Sequence, residues 1–271
     1  MKTAFDHIAG EYDTYRPSYP PEVFERLESV LDSFRGGQHP AIRLDGDAIA
    51  ATVVDVGAGT GIFSRQLAAR GWRVIAVEPS AAMLRVGIMD PTDATYDRRR
   101  LHPVTAGAEQ IPIASESIDL ITAAQAFHWF NPPIALAEFA RILRPGGAMA
   151  LLWNNRDPAR HPIVDQFEEL IRRYNPAHDR EYREQDWPAK IAQTGCFEAA
   201  IEHRIDWEWN LTPDQFVGFS RTISYVRNVI ARERLPRFEA DLRGLAMTAF
   251  PDGVCRLPMW TGLWTARRLA R

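Results

Sequence analysis

Val53-Val54-Asp55-Val56-Gly57-Ala58-Gly59-Thr60-Gly61 reads as a buried strand that runs straight into a glycine-rich turn. Val53, Val54 and Val56 are β-branched and apolar, as a central parallel strand covered on both faces demands. The glycines let the backbone turn sharply and keep side chains out of a ligand's way. Ile62, Phe63, Leu67 and Ala68 follow at helical spacing. Strand, turn and helix in this order make a nucleotide-cofactor site at the mouth of an α/β sheet.

Downstream of this turn, strands and helices alternate. Residues 73–78 read as a second strand ending in the acid Glu78, 81–87 as a helical run, 101–106 as a weaker third strand and 118–123 as a fourth. Asn131 is a natural N-cap and Pro132 suits the first helical position. That helix carries Ile134, Ala137, Phe139, Ile142 and Leu143. Arg144-Pro145-Gly146-Gly147 reads as a tight turn before a fifth strand at 148–153. Such alternation is the signature of a doubly wound α/β fold with a mainly parallel sheet.

Upstream, residues 21–34 place Val23, Phe24, Leu27, Val30 and Leu31 on one side of a helix that Gly36-Gly37 ends. The segment before it is aromatic, with Phe5, Ile8 and Tyr12 at helical spacing. Residues 1–35 are expected to form an N-terminal helical lid, with the tyrosines and Arg16 facing a ligand. The alternative is a surface helix that buries one face. Residues 36–271 are the main domain, with 156–250 contributing a helical cap. Within that part, 162–174 is amphipathic and 201–209 reads as a strand. Thr212-Pro213-Asp214 opens a helix carrying Phe216, Phe219, Ile223, Val226 and Ile230. Residues 254–265 form a final strand. Trp207, Trp209, Trp260 and Trp264 suggest a sheet edge buried under helices.

The 271 residues carry a net charge of −3, and the pI of about 6.2 gives no pull toward nucleic acid. Arg98-Arg99-Arg100 is the one basic run and reads as a solvated loop. Cys196 and Cys255 lie far apart and make no metal-ligand spacing, so two free thiols and no metal are expected. The N-terminus lacks an apolar signal core, and no run is apolar enough to span a bilayer. A cytoplasmic monomer or homodimer acting on a small molecule, without nucleic acid or membrane, is the expectation.

A dinucleotide fingerprint is G-x-G-x-x-G/A. Here the third glycine comes one residue early, and Ile62 stands where Gly or Ala is wanted. Asp55 places a carboxylate at the strand's mouth, which a pyrophosphate would find repulsive and a cationic or zwitterionic ligand would not. With its surroundings, the chain resembles the class I S-adenosylmethionine-dependent methyltransferases, in the small-molecule branch of the trans-aconitate and ubiquinone/menaquinone enzymes. The resemblance rests on Phe5-Asp6, Tyr12-Asp13 and Arg16-Pro17, then Asp55 to Gly61, Glu78-Pro79-Ser80 and Met83-Leu84. It continues through Ala108-Glu109, Ile111-Pro112, Ser117-Ile118-Asp119, the 125–130 stretch Gln-Ala-Phe-His-Trp-Phe and the 143–147 turn.

That resemblance implies a seven-stranded Rossmann-like sheet with the last strand antiparallel, and S-adenosylmethionine as cofactor. It implies that Gly57, Ala58 and Gly59 pass under the methionine part, with Asp55 near the amino group. Glu78 would take both ribose hydroxyls, beside Pro79 and Met83. Ala108 would offer its backbone N–H to the adenine, with Ala126 nearby; where many relatives carry an acid for the adenine amine this chain has Gly107, so that contact either falls to Glu109 or is missing. Gln125 would meet the methionyl amine, Arg16 the carboxylate, and Tyr12 would close over the site. His128 is the best base candidate, because it follows the fourth strand and imidazole titrates near neutral pH. With Trp129 and Phe130 it also reads as pocket wall, as an aromatic cluster often does. Trp153, Asn154, Tyr15, Arg221 and Tyr225 are the candidate acceptor contacts. An aromatic, mostly uncharged acceptor suits these surroundings. A nicotinamide oxidoreductase and a non-methylating S-adenosylmethionine-binding protein of the same fold are the alternatives.

Overall fold

The computed structural model describes residues 8–34, 51–89, 96–178 and 185–269. Phe5-Asp6, the Gly36-Gly37 stop and the connector to residue 50 lie outside them. The helices are α1 (Ala9–Tyr15), α2 (Pro21–Phe34), α3 (Ile62–Ala69), α4 (Ala81–Val86), α5 (Pro132–Ile142), α6 (Ile163–Tyr174), α7 (Trp187–Ala192), α8 (Pro213–Arg221), α9 (Ser224–Arg227) and α10 (Leu235–Ala249). The strands are β1 (Thr52–Val56), β2 (Arg73–Val77), β3 (Leu101–Val104), β4 (Ile118–Ala124), β5 (Leu143–Arg156), β6 (Ile201–Leu211) and β7 (Cys255–Arg267).

The strands make one sheet in the order β3-β2-β1-β4-β5-β7-β6. β1 to β5 pair in parallel, and β7 runs antiparallel to both β5 and β6. The pleat of β1 sends Val53 to one face and Val54 and Val56 to the other. The first face is covered by α2 and α3 through Phe24, Leu27, Phe63 and Leu67, all buried. The second is covered by α5 and α7 through Leu136, Phe139, Trp187 and Ile191. Both faces are therefore dry, which is why β1 and β4 are buried at successive residues rather than at alternate ones.

Three strands outrun the parallel core. The end of β5, the start of β7 and the end of β6 project past the carboxyl edge of β1, and α6, α8, α9 and α10 pack on them. Their cluster joins Phe167, Phe216, Phe238 and Leu242 to Leu211, Leu257 and Met259.

Some elements differ from the sequence expectation. The 144–147 turn lies inside β5 as a bulge: pairing jumps from Ile118–Leu143 to Leu120–Ala148. Pro145 has no N–H to give the ladder, and Gly146 takes φ 77°. The helix expected to continue from Thr212 past Ile223 is two helices. Ser220 and Thr222 hydroxyls donate to the carbonyls of Val217 and Phe219, both at 2.7 Å, and Ile223 is extended. Such back-bonding competes with the helix ladder and ends it. α7 and α10 have no counterpart in the sequence reading. The capping box at Thr212 is present, with Gln215 as its partner. Asn131 occupies the N-cap position of α5, but its side chain makes no capping bond.

Candidate active site

Two cavities open at the carboxyl ends of β1, β2, β4 and β5 and share Tyr12, Arg16, Pro17, Gln125, Trp129 and Asn154 in their walls. The first has a volume of about 360 Å³ and the second about 750 Å³. The carboxyl ends of parallel strands are where this architecture gathers its ligands.

The glycine turn forms the floor of the first cavity. Gly57 and Ala58 donate their N–H groups to the Val77 carbonyl at 2.8 and 3.1 Å, which ties the turn to β2. Gly57 has φ 71° and a Cβ there would lie 2.5 Å from Ala126 Cβ, so no other residue fits. At Gly59 a Cβ would meet nothing nearer than Met83 Cε at 3.5 Å, so this corner stays open to a ligand.

Charge in this cavity is mostly negative. Glu78 accepts hydrogen bonds from the N–H groups of Gly59 (3.0 Å) and Ser80 (2.9 Å), one on each oxygen. Asp55 is 1% exposed and accepts from Ser64 Oγ (2.5 Å) and Thr122 Oγ1 (2.8 Å). Burial pushes its carboxyl up to about 6, against the pull of those two hydroxyls. Glu109 accepts from the N–H of Asn131 at 2.9 Å. Among the lining residues these three acids face one base, Arg16. That balance suits a ligand carrying positive charge and opposes a pyrophosphate. Two buried polar atoms on the lining, Thr60 Oγ1 and Arg16 Nε, have no hydrogen-bond partner among the described residues, a feature that calls for a ligand or water.

Arg16 holds the two cavities together. Its Nη2 donates to the Thr222 carbonyl at the C-cap of α8 (2.7 Å), and its guanidinium lies over the rings of Tyr12 and Phe219. Gln125 is a non-glycine residue at φ 57°, held by its N–H on the Leu152 carbonyl (2.8 Å) and its side chain on the Asn154 carbonyl (3.0 Å). Backbone in that region is sparsely populated and gathers at functional crevices.

All thirteen residues expected to meet the cofactor line the first cavity: Tyr12, Arg16, Asp55, Gly57, Ala58, Gly59, Glu78, Pro79, Met83, Ala108, Glu109, Gln125 and Ala126. The catalytic candidates His128 and Trp129 line the second, and so do Trp153 and Asn154 of the acceptor candidates. The Trp153 indole N–H points at His128 Nδ1, 3.4 Å away. Asn154 is engaged at both ends, accepting from Thr261 Oγ1 (2.6 Å) and donating to the Ser18 carbonyl (3.2 Å). Tyr15, Arg221 and Tyr225 line neither cavity. The Tyr15 ring rests on Gly218 of α8. Arg221 pairs with Glu239 at 2.7 Å and Glu11 at 3.7 Å. Tyr225 accepts from Arg156 at 2.9 Å behind the cavity wall. The sequence reading missed Thr60 in the first cavity, and Arg156, Trp187, Arg204 and Phe219 in the second. Thr60 lay inside the quoted turn. The others carry no local motif.

The methyltransferase domain family matches residues 54–151. An uncharacterized methyltransferase of Mycobacterium tuberculosis is 32% identical over 229 residues, spanning 83% of this chain and 78% of that protein. A candidate type II methyltransferase from Anaeromyxobacter dehalogenans superposes with a TM-score of 0.65 at 26% identity, over 95% of this chain and all of that one. Phosphoethanolamine N-methyltransferase 2 of Haemonchus contortus, solved with S-adenosyl-L-methionine, shares the fold at 16% identity, with a TM-score of 0.51 over 99% of this chain and 58% of that one. The acid-rich cavity opposes the pyrophosphate of a nicotinamide dinucleotide. The chain belongs to the class I S-adenosylmethionine-dependent methyltransferases, with S-adenosylmethionine as its methyl donor.

Proposed function

We propose that the two adjoining cavities are the donor and acceptor compartments of a small-molecule methyltransferase, and that its rate comes from alignment and exclusion of water. The observation that carries this reading is their shared wall of Tyr12, Arg16, Gln125, Trp129 and Asn154. S-adenosylmethionine supplies, when bound, a methyl group on a sulfonium already activated for in-line displacement. The protein's part is therefore to orient and to desolvate.

Glu78, held by two backbone N–H groups, keeps lone pairs on both oxygens for the paired ribose hydroxyls. Asp55 sets a negative field under the glycine turn for the amino group. Arg16 offers its guanidinium to the carboxylate, and the backbone of Ala108 meets the adenine. Residues 1–35 act as a lid and 156–250 as a cap that closes the acceptor side. His128 is an orienting donor: with Trp153 directed at Nδ1, the neutral ring carries its proton on Nε2. Trp129 shields the junction.

Calorimetry with S-adenosylmethionine tests the donor half. Glu78→Ala is expected to weaken binding by about 10- to 100-fold, the worth of hydrogen bonds to a charged acceptor. Unchanged affinity would remove Glu78 from the site. His128→Ala is expected to lower kcat about tenfold with cofactor affinity intact. A loss near 1,000-fold, with one limb of the pH–rate profile gone, would make it a general base instead. Labelled S-adenosylmethionine with a metabolite extract is expected to yield a methylated small molecule. Tight cofactor binding without any transfer would favour a non-methylating protein of the same fold.

A further inference from the structure

Five of the chain's eight tryptophans, Trp129, Trp153, Trp187, Trp260 and Trp264, line the second cavity. Three of them form its floor. In β7, Trp260, Gly262 and Trp264 alternate along the strand and share one face. Trp153 of β5 stands opposite Gly262. A Cβ on Gly262 would lie 2.5 Å from the Trp264 ring and 3.0 Å from the Trp260 ring, so both indoles reach over the glycine. Trp153 is stacked on Trp187 with centroids 4.6 Å apart and planes 5° from parallel, and it meets Trp264 edge-on at 5.4 Å. Glycine in a strand interior otherwise weakens it. Here it makes the room in which the indoles lie over the sheet.

Two arginines beside this floor are paired with acids of the chain itself. Arg204 lies over the Trp260 ring at 4.5 Å and pairs with Asp157 and, at 2.9 Å, Asp206. Arg156 pairs with Glu168 at 2.5 Å. The cation–π position on Trp260 is thus already occupied by the chain's own guanidinium, so that face has no place for a ligand cation.

Building on the methyltransferase reading, we infer that the acceptor is a planar, uncharged aromatic molecule that stacks on the indole floor of Trp153, Trp260 and Trp264. Flat π faces bind flat π systems through offset or edge contacts that a saturated ring of equal size cannot make. A quaternary or primary ammonium ligand is disfavoured by Arg204.

The test is calorimetry on the full chain saturated with S-adenosylhomocysteine, with 2-naphthol, decahydro-2-naphthol and 2-naphthyltrimethylammonium as probes. 2-Naphthol is expected to bind at least tenfold more tightly than its saturated analogue, and the ammonium probe not measurably. Gly262→Ala, which forces Trp264 aside, and Trp260→Leu, which keeps an apolar side chain, are each expected to weaken 2-naphthol at least fivefold with cofactor affinity unchanged. Equal binding of the saturated probe, stronger binding of the ammonium, or wild-type naphthol affinity in both variants would overturn the inference. So would cofactor binding without any naphthol binding. Failure of S-adenosylmethionine itself to bind would instead overturn the reading on which the inference rests.

Discussion

Asp55 shows what one buried carboxylate does at a cofactor floor. It sits inside β1, where its neighbours in sequence are core valines, and only the hydroxyls of Ser64 and Thr122 compensate its lost hydration. The sequence places the acid at the strand's mouth but gives no sign of those two partners, which come from α3 and β4. Burial raises the carboxyl from its ordinary 3.8 to about 6. An acid whose folded value is raised keeps its proton in the folded state after the unfolded chain has lost it. The folded state is then favoured most below pH 4, and that advantage fades as pH rises to 6. With each unit worth about 1.4 kcal/mol, the total is roughly 3 kcal/mol. Asp55→Asn does not titrate, so the stability of the wild type minus that of the variant is expected to fall between pH 4 and 6 and to level off above 7. Urea unfolding at several pH values measures it. A flat difference would mean that Asp55 is solvated after all.

At the scale of elements, the docking of α1 decides how the two cavities meet. Tyr15 lies on Gly218, Arg16 reaches the end of α8, and Asp13 pairs with Arg65 of α3 at 2.7 Å. Replacing a helical glycine by alanine ordinarily stabilises by about 1 kcal/mol. At Gly218 the new Cβ would lie 2.5 Å from the Tyr15 ring, so the opposite sign is expected. Gly218→Ala is predicted to loosen α1 and to speed amide exchange across Ala9–Tyr15 about tenfold, the effect of roughly 1.4 kcal/mol on local opening. Unchanged exchange would show that Tyr15 is not what seats the helix. The same contrast explains what was legible in the sequence. β1 to β4 and their loops are local in the chain, so the cofactor-side residues from Asp55 to Ala126 lie in or just after their own strands and can be read from motifs. The acceptor side is assembled from α1, β5, α7, α8, β6 and β7, whose pairings leave no common signature. α10 buries Phe238, Leu242 and Ala246 at a regular spacing of four, but Pro236, Gly244 and the surrounding charges mask it. α7 is under two turns long and buries only Trp187 and Ile191. The alternation of Trp260, Gly262 and Trp264 was visible, and only the sheet register shows that Trp153 joins them.

Across the whole molecule, the sheet and the outer helices are joined by the overlong strands and by one buried ion pair. Arg156 ends β5 and is 8% exposed; Glu168 of α6 is 4% exposed. Glu168 also bonds His178 at 2.7 Å, and Arg156 bonds the Tyr225 hydroxyl on α9. Two helices, α6 and α9, thus converge on the strand that also carries Trp153 and Asn154. Nearby carboxylate and phenol groups hold Arg156 firmly in its charged form, which burial alone would oppose. A buried pair gains little over an apolar replacement of equal volume, because both charges must be desolvated, but removing one partner strands the other. Arg156→Met and Glu168→Met are therefore each expected to cost about 3–5 kcal/mol. The double variant is expected to be clearly more stable than either single one, which requires a coupling larger than about 3 kcal/mol. Urea unfolding of the four proteins gives the cycle. If the single losses simply add, the pair is not the tie between sheet and helices, and the apolar cluster of Phe167, Phe216 and Leu257 carries that junction alone.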